Sequence, residues 1–169
     1  MLVLALIIGG ILLRFAPHAP NFTPVAAIAL FSGAYLNKKS ALLVPLVLMI
    51  VSDLVIGLHD VVFFTWGGFL LVAILGVHLK KHKNIFGVFS ASLISSIVFY
   101  IVSNFGVWIM GWYAHTWQGL INCYVMALPF LRNFTLATLL YSGVFFGIYE
   151  ITANLAKTSK LAKALLTNF

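Results

Sequence analysis

The sequence predicts an all-α integral membrane protein, a bundle of six transmembrane helices with both ends in the cytoplasm. Of its 169 residues, 63% are hydrophobic and only 8% are charged, whereas about a quarter of a soluble domain is charged. Apolar stretches recur between brief polar interruptions, and every lysine follows an even-numbered stretch. A spanning helix uses about 20 residues, so the length allows about six spans in a single transmembrane domain, residues 1–169.

The first two spans flank a proline-rich turn. The first is predicted over residues 1–15, with no basic region before it and no small-residue cleavage pattern, so we expect a retained helix and not a signal peptide. Segment 16–24 contains three prolines and Asn21, which is typical of a turn. The second span, 25–36, is short, and we expect its helix to begin inside the membrane, near Pro24.

The other four spans follow with short connections. They are predicted at about residues 41–58, 61–79, 85–108 and 133–151. The turn at His59-Asp60 is very tight. Segment 110–131 is mixed and aromatic, and we expect it to lie on the membrane or to dip into it.

Lysines determine the predicted orientation. They follow the second, fourth and sixth spans, at Lys38, Lys39, Lys80, Lys81, Lys83, Lys157, Lys160 and Lys163. Short loops rich in Lys and Arg stay in the cytoplasm, which predicts cytoplasmic termini in the cell's inner (cytoplasmic) membrane. The net charge of +7 then reflects orientation in the bilayer, and no nucleic-acid partner is expected.

The three outward segments hold most of the polar and aromatic side chains. Asp53, near the outer end of the third span, is costly in hydrocarbon and needs a partner. Asp53 binds a substrate or a proton, or it forms a structural ion pair with Arg14 or Arg132. We predict a substrate pocket at this end, lined by His18, Asn21, Asp53, Asn104, Trp108, Asn122, Tyr124, Arg132 and Asn133.

Several of these side chains have a structural alternative. Arg132 contacts the substrate or extends to the lipid headgroups. Asn104 bonds a ligand or a neighbouring helix, and Trp108 stacks on a flat ligand or joins an interfacial aromatic belt. Small residues in the first two spans, among them Gly10 and Gly33, allow packing within the protein or docking of a membrane partner.

Metal and catalytic motifs are weak. The candidate metal ligands are His18, His59, His115 and Cys123, but nothing in their spacing requires a metal, so neither a metal nor another cofactor is predicted. The lone Cys123 is a soft ligand, a reactive thiol or a small apolar filler. The sequence has no paired-carboxylate, Ser-His-Asp, phosphate-loop or HExxH motif, so it does not predict an enzyme.

Four pieces of the sequence resemble an uncharacterised bacterial family described only as candidate transport proteins. Residues 14–27 read RFAPHAPNFTPVAA and resemble its hallmark. The other three pieces are Ser52-Asp53 with Gly57 and His59, SNFGVW at residues 103–108, and Cys123-Tyr124 with Pro129-Phe130 and Arg132-Asn133. That family has an acidic residue early in the sixth span, where this chain has Thr135-Leu136-Ala137-Thr138, so a role for that acid is not carried over.

In size, span count and orientation the protein is also similar to the S components of energy-coupling-factor vitamin transporters. The resemblance implies uptake of a vitamin or cofactor precursor bound near the outer face, and a transmembrane coupling protein driven by ATPases as partner. A related group that imports cobalamin uses a cysteine toward the cobalt, a role to which Cys123 corresponds by analogy. Two alternatives remain open. One is a membrane enzyme acting on a lipid or cofactor precursor through Asp53, His18 or Cys123, and the other is a structural subunit of a membrane complex.

Overall fold

The computed structural model describes residues 2–158, which form seven α-helices. They are α1 (Leu2–Phe15), α2 (Val25–Tyr35), α3 (Lys38–Ile56), α4 (Val62–Leu79), α5 (Ile85–Ile109), α6 (Trp117–Met126) and α7 (Leu128–Thr158). No strand occurs in this part of the chain, which confirms the all-α class. The tail lysines Lys160 and Lys163 lie outside the described residues.

Four helices, α3, α4, α5 and α7, are long and apolar enough to cross a membrane. The apolar helices α1 and α2 have only 14 and 11 residues. At a rise of 1.5 Å per residue they measure roughly 21 and 16 Å, less than the hydrocarbon core of about 30 Å. Length alone therefore supports four spans, and the other two of the predicted six need a separate argument.

Polar side chains fix where several helices begin. The side-chain oxygens of Asn37, Asn84 and Thr116 accept hydrogen bonds from backbone N–H groups in the first turns of α3, α5 and α6. Such caps satisfy N–H groups that have no partner within the helix. At the other end of α3, Gly57 adopts a φ of 118°, which a side chain would strain.

The region between α5 and the last span differs from the sequence prediction. Residues 110–131 contain a separate helix, α6, and α7 begins at Leu128 and not near residue 133. Pro129 lies in the first turn of α7, where a proline removes no helical hydrogen bond. The proline therefore marks the start of the last helix, and the sequence prediction had placed it outside.

Helix α2 is the centre of the bundle. Its residues from Val25 to Ala34 are all buried. It packs most extensively against α4, and a Cβ on Gly33 would lie only 2.3 Å from the Ala73 carbonyl oxygen. A Cβ on Gly76 would lie 2.4 Å from the Leu30 carbonyl oxygen, so the two backbones touch. The small residues of α2 therefore serve internal packing and leave no face for a docking partner.

The surface and the interior have the polarity expected of a protein in lipid. Large apolar side chains such as Leu12, Phe63 and Ile85 are more than half exposed. Polar residues such as Ser92 and Thr138 are buried, and their hydroxyls donate to carbonyl oxygens one turn earlier in their own helices. This inverted arrangement is typical of helices that face hydrocarbon.

Candidate functional site

An ion pair joins α1 to α3 at one end of the bundle. Arg14, in the last turn of α1, places Nη2 2.6 Å from Oδ1 of Asp53 on α3. Trp66 on α4 donates from Nε1 to the other carboxylate oxygen, Oδ2, at 2.7 Å. The Asp53 side chain is only 1% exposed. Of the two partners that the sequence suggested for Asp53, the structure selects Arg14.

Arg14 makes further contacts with α3 through its other terminal nitrogen. Nη1 donates to the Ser52 hydroxyl and to Sδ of Met49, the latter at 3.2 Å. A guanidinium has five N–H donors, and the contacts with Ser52 and Met49 use the two on Nη1. Nη2 forms the ion pair with Asp53, and the Nε–H has no partner within residues 2–158. Arg14 thus keeps donors for a ligand while Asp53 balances its charge.

A cavity of about 460 Å³ lies beside this ion pair. Its walls come from α1 to α5, from α7 and from two connecting segments: Arg14, Phe15, His18, Asn21, Thr23, Val25, Met49, Ile56, His59, Thr65, Phe69, Phe99 and Phe134. Ligand pockets measure about 300–1,000 Å³ and combine apolar walls with a few polar groups. The size and the lining of this cavity, here called the main cavity, suit a small molecule.

Three phenylalanine rings form one wall of the main cavity. Phe99 on α5 stacks on Phe134 of α7, with ring centroids 4.5 Å apart and an interplanar angle of 11°. Phe69 on α4 lies 4.4 Å from Phe99, also measured between ring centroids. Rings held by three helices form a rigid apolar surface, on which a flat ligand can stack.

A second cavity of about 470 Å³ adjoins the first and shares four of its lining residues, Asn21, His59, Thr65 and Phe99. Its other walls come from α5, α6, α7 and the connecting segments: Val61, Ser103, Asn104, Val107, Trp112, Tyr113, Cys123, Met126, Ala127 and Phe130. The shared residues make the two cavities one continuous region, here called the site end of the bundle.

Two shared residues, His59 and Asn21, have distinctive local states. Nδ1 of His59 is buried and has no hydrogen-bond partner among the described residues. A buried nitrogen without a partner carries a desolvation cost that a ligand donor or acceptor would relieve.

Asn21 has a φ of 61°, a left-handed conformation that asparagine tolerates better than most residues. This conformation turns the chain between α1 and α2 over the main cavity.

His18 lies in the same turn and lines the main cavity. Nδ1 lies 2.9 Å from the Ala19 carbonyl oxygen, and Nε2 lies 3.2 Å from the Arg14 carbonyl oxygen. Both partners are acceptors, so a neutral imidazole can donate to only one of them.

Three of the nine predicted binding residues line the cavities: His18, Asn21 and Asn104. Asn104 also donates from Nδ2 to the Tyr100 carbonyl oxygen at 2.8 Å, the helix bond that the sequence allowed as its alternative. Asp53 lies behind Arg14 and does not line either cavity.

The other five predicted binding residues, Trp108, Asn122, Tyr124, Arg132 and Asn133, lie near the site end without lining the cavities. Trp108 donates to the Ala114 carbonyl oxygen, and the Tyr124 hydroxyl donates to the Ile101 carbonyl oxygen. Asn133 donates to the Pro20 carbonyl oxygen at 3.2 Å, and Asn122 accepts from the Gln118 amide at 3.0 Å. Arg132 is exposed at the start of α7. The Trp108 bond joins α5 to the segment before α6, and the Tyr124 bond joins α6 to α5. The Asn133 bond joins α7 to the turn between α1 and α2.

The candidate metal ligands are not gathered. Within residues 2–158, no group of three or more His, Cys, Asp or Glu side chains is arranged to hold a metal ion. The His115 ring contacts the Trp108 carbonyl oxygen at 2.9 Å and lines neither cavity. Cys123 is buried, and its thiol lies 3.4 Å from the Asn104 carbonyl oxygen. Burial raises the pKa of this thiol, which disfavours the reactive thiolate.

Sequence reasoning did not select Thr65, Phe69 and Phe99. Thr65 and Phe69 are four residues apart on α4 and therefore share a face, as do Phe99 and Ser103 on α5. A hydroxyl one turn from a phenylalanine within an apolar span was the available signal. The same spacing also occurs where the hydroxyl only bonds its own helix, so this signal is weak.

Comparison with protein families gives one match. The profile of a family of unknown function, DUF6580, matches residues 1–161. No curated protein matches the chain, and no solved structure does.

Proposed function

The chain belongs to this family of unknown function, and we propose that it captures a small molecule in the main cavity for uptake across the bacterial inner membrane. The observation that carries the proposal is the main cavity itself, about 460 Å³, with a cation at one wall and stacked rings at another. Proteins that bind small molecules use this combination, because the rings supply contact area and the polar groups fix orientation.

The positions of the lysines support an outward-facing site end. Lys38 lies at the start of α3, and the site end is at the opposite terminus of that helix, near Ile56. Lys80 follows α4, whose other terminus carries Thr65. Because lysine-rich loops stay in the cytoplasm, the cavities face the outer side of the membrane.

The proposed topology has six crossings, with both termini cytoplasmic. Two of the six helices, α1 and α2, are shorter than the hydrocarbon core is thick. Because α2 is buried among α3, α4 and α7, it meets protein and not lipid, and need not match the bilayer. The turn after α1 then lies within the outer part of the membrane. Irregular backbone is tolerated there because it lines a cavity.

The chemistry of the walls favours a polar compound with a flat ring, such as a vitamin or a cofactor precursor. Asp53 neutralises the charge of Arg14, so the pair offers directed N–H donors without a net charge. Thr65 and Asn21 add uncharged polar groups, and the phenylalanine wall provides a stacking surface. A ligand carbonyl or carboxylate would accept from Arg14 while its ring lies on Phe99.

Uptake needs a source of energy outside the chain, because the sequence has no Gly-rich nucleotide-binding motif. By its similarity to the S components, we propose that a transmembrane coupling protein with ATPases supplies it. The buried small residues of α2 do not serve that docking. Any coupling protein would contact the exposed apolar faces of the outer helices.

A binding assay tests the proposal. Purified protein in detergent is screened by thermal shift against a panel of vitamins and cofactor precursors, and protein taken directly from membranes is analysed by native mass spectrometry. We expect a retained or added compound that raises the melting temperature. Thr65→Trp, which fills the region shared by the two cavities, should abolish the shift, whereas Ser90→Trp on an exposed face of α5 should not. No retained compound and no shift with any member of the panel would contradict the proposal.

A further inference from the structure

Another concave region lies at the opposite end of the bundle, near the lysine loops. It is a groove of about 410 Å³ between α5 and α7, here called the lateral groove. It is lined by Lys83, Asn84, Ile85, Val88, Phe89, Ser92, Leu139, Gly143, Phe146, Gly147 and Glu150. The exposed residues Phe89 and Gly143 show that it opens sideways, toward the position of the lipid.

Glycines on α7 create the space in the lateral groove. A Cβ built on Gly143 or on Gly147 would have no atom within 4 Å. These two residues and Leu139 recur every four positions along one face of α7. The missing side chains leave a channel against the α5 wall formed by Val88 and Phe89.

The length of the lateral groove matches one leaflet of a bilayer. From Leu139 to Glu150 the helix advances 11 residues, or roughly 16 Å. Half of a hydrocarbon core measures about 15 Å. Its polar end carries Lys83, beside the basic loop, and its apolar end points toward the middle of the membrane. This is the geometry of a single lipid standing in the cytoplasmic leaflet.

Opposite charges flank the polar end. Lys83 places Nζ 4.2 Å from the centroid of the Tyr35 ring, and the Tyr35 hydroxyl donates to Oε1 of Glu150. One tyrosine therefore positions a cation and a carboxylate that both line the groove. The second carboxylate oxygen of Glu150, Oε2, has no hydrogen-bond partner in the described part of the chain and can accept from a ligand.

We propose that the lateral groove binds a phosphatidylethanolamine lipid, with one acyl chain between α5 and α7. The phosphate pairs with Lys83, and the primary ammonium donates to Glu150. An anionic glycerol headgroup would meet the Glu150 carboxylate unfavourably. A choline headgroup has the same charge as ethanolamine but no N–H to donate. The site is separate from the main cavity, and the proposal does not depend on the uptake function.

Native mass spectrometry of the delipidated protein tests this assignment. The protein is titrated separately with dioleoyl phosphatidylethanolamine, phosphatidylcholine and phosphatidylglycerol, and an apparent Kd is obtained for each lipid. We expect phosphatidylethanolamine to bind about tenfold more tightly than either of the others, the effect of one charge-assisted hydrogen bond. Glu150→Gln should bring it to the level of phosphatidylcholine, and Lys83→Gln should weaken all three lipids.

Groove-filling variants separate this site from general detergent-like binding. A Cβ at Gly147 or Gly143 meets no atom within 4 Å, so Gly147→Leu and Gly143→Leu should fold, occupy the groove and lose the tight phosphatidylethanolamine complex. Gly9→Leu on α1 adds the same side chain where a Cβ also has open space, and should bind like the wild type. Equal affinity for the three lipids, tightest binding of phosphatidylglycerol, or unchanged binding in Gly147→Leu would each overturn the proposal.

Discussion

Replacing Asp53 with asparagine isolates the charge of the ion pair. Asparagine keeps the shape of the side chain and an oxygen that can accept from Trp66. The change leaves Arg14, whose side chain is only 15% exposed, without its counter-charge. Removing one partner of a buried ion pair costs about 3–5 kcal/mol. Because solvent reaches part of Arg14, we expect the lower end of that range, a loss of about 3 kcal/mol in the free energy of unfolding.

A double-mutant cycle measures the coupling between the two side chains. The variants are Asp53→Asn, Arg14→Gln and the double substitution. Unfolding is followed by tryptophan fluorescence in mixed micelles with increasing dodecyl sulfate. The double variant no longer has an unpaired charge, so it should be more stable than the sum of the single losses predicts, by about 2 kcal/mol. Asp60→Asn, an exposed carboxylate near the site end, is the control and should change stability by less than about 0.5 kcal/mol.

Two results would refute this reasoning. Additive losses would mean that the ion pair contributes nothing beyond its separate contacts. An Asp53→Asn variant as stable as the wild type would mean that the ion pair with Arg14 contributes nothing to the free energy of unfolding.

Three further experiments test the helix packing, the Tyr35–Glu150 hydrogen bond and the buried thiol. Gly33→Ala should cost about 3 kcal/mol of unfolding free energy and reduce the monodisperse yield in detergent, because its Cβ would meet backbone atoms of α4; Gly9→Ala, with open space at its Cβ, should not. Tyr35→Phe should lower stability in the same unfolding assay by about 1–2 kcal/mol, since Glu150 loses its hydroxyl donor; an unchanged midpoint would argue against that bond. Because burial raises the pKa of Cys123, its alkylation should be slow at neutral pH and its rate should still be rising at pH 9.0. An alkylation rate that reaches its plateau at a lower pH than the rate of a free thiol does would contradict the burial of Cys123.

The sequence was sufficient for the helical class and for the positions of most helices. Apolar stretches and lysine loops mark helix ends well, because breaks in hydrophobicity coincide with turns. The start of α7 was missed because Pro129 reads as a breaker, although a proline also suits the first turn of a helix. Helix α6 was missed because its ten residues are too few to establish a helical period from the sequence.

The candidate site was predicted only in part, because sequence does not reveal how a membrane helix is rotated. In a soluble helix the apolar face identifies the buried side, whereas in these helices all faces are apolar. The chain has 15 phenylalanines, and only the weak signal of a hydroxyl one turn away distinguishes Phe99, which lines the cavities, from Phe63, which is 74% exposed. Asp53 stood out because a carboxylate in a span requires a partner. That requirement suggested Arg14 or Arg132 as the partner, and the structure pairs Asp53 with Arg14.

An experimental structure of the protein saturated with the compound that gives the largest thermal shift tests the central claim most directly. We expect non-protein density in the main cavity, with a polar group of the ligand beside Arg14 and a ring against Phe99 and Phe134. Density at another position, with the main cavity closed by its own side chains, would contradict it.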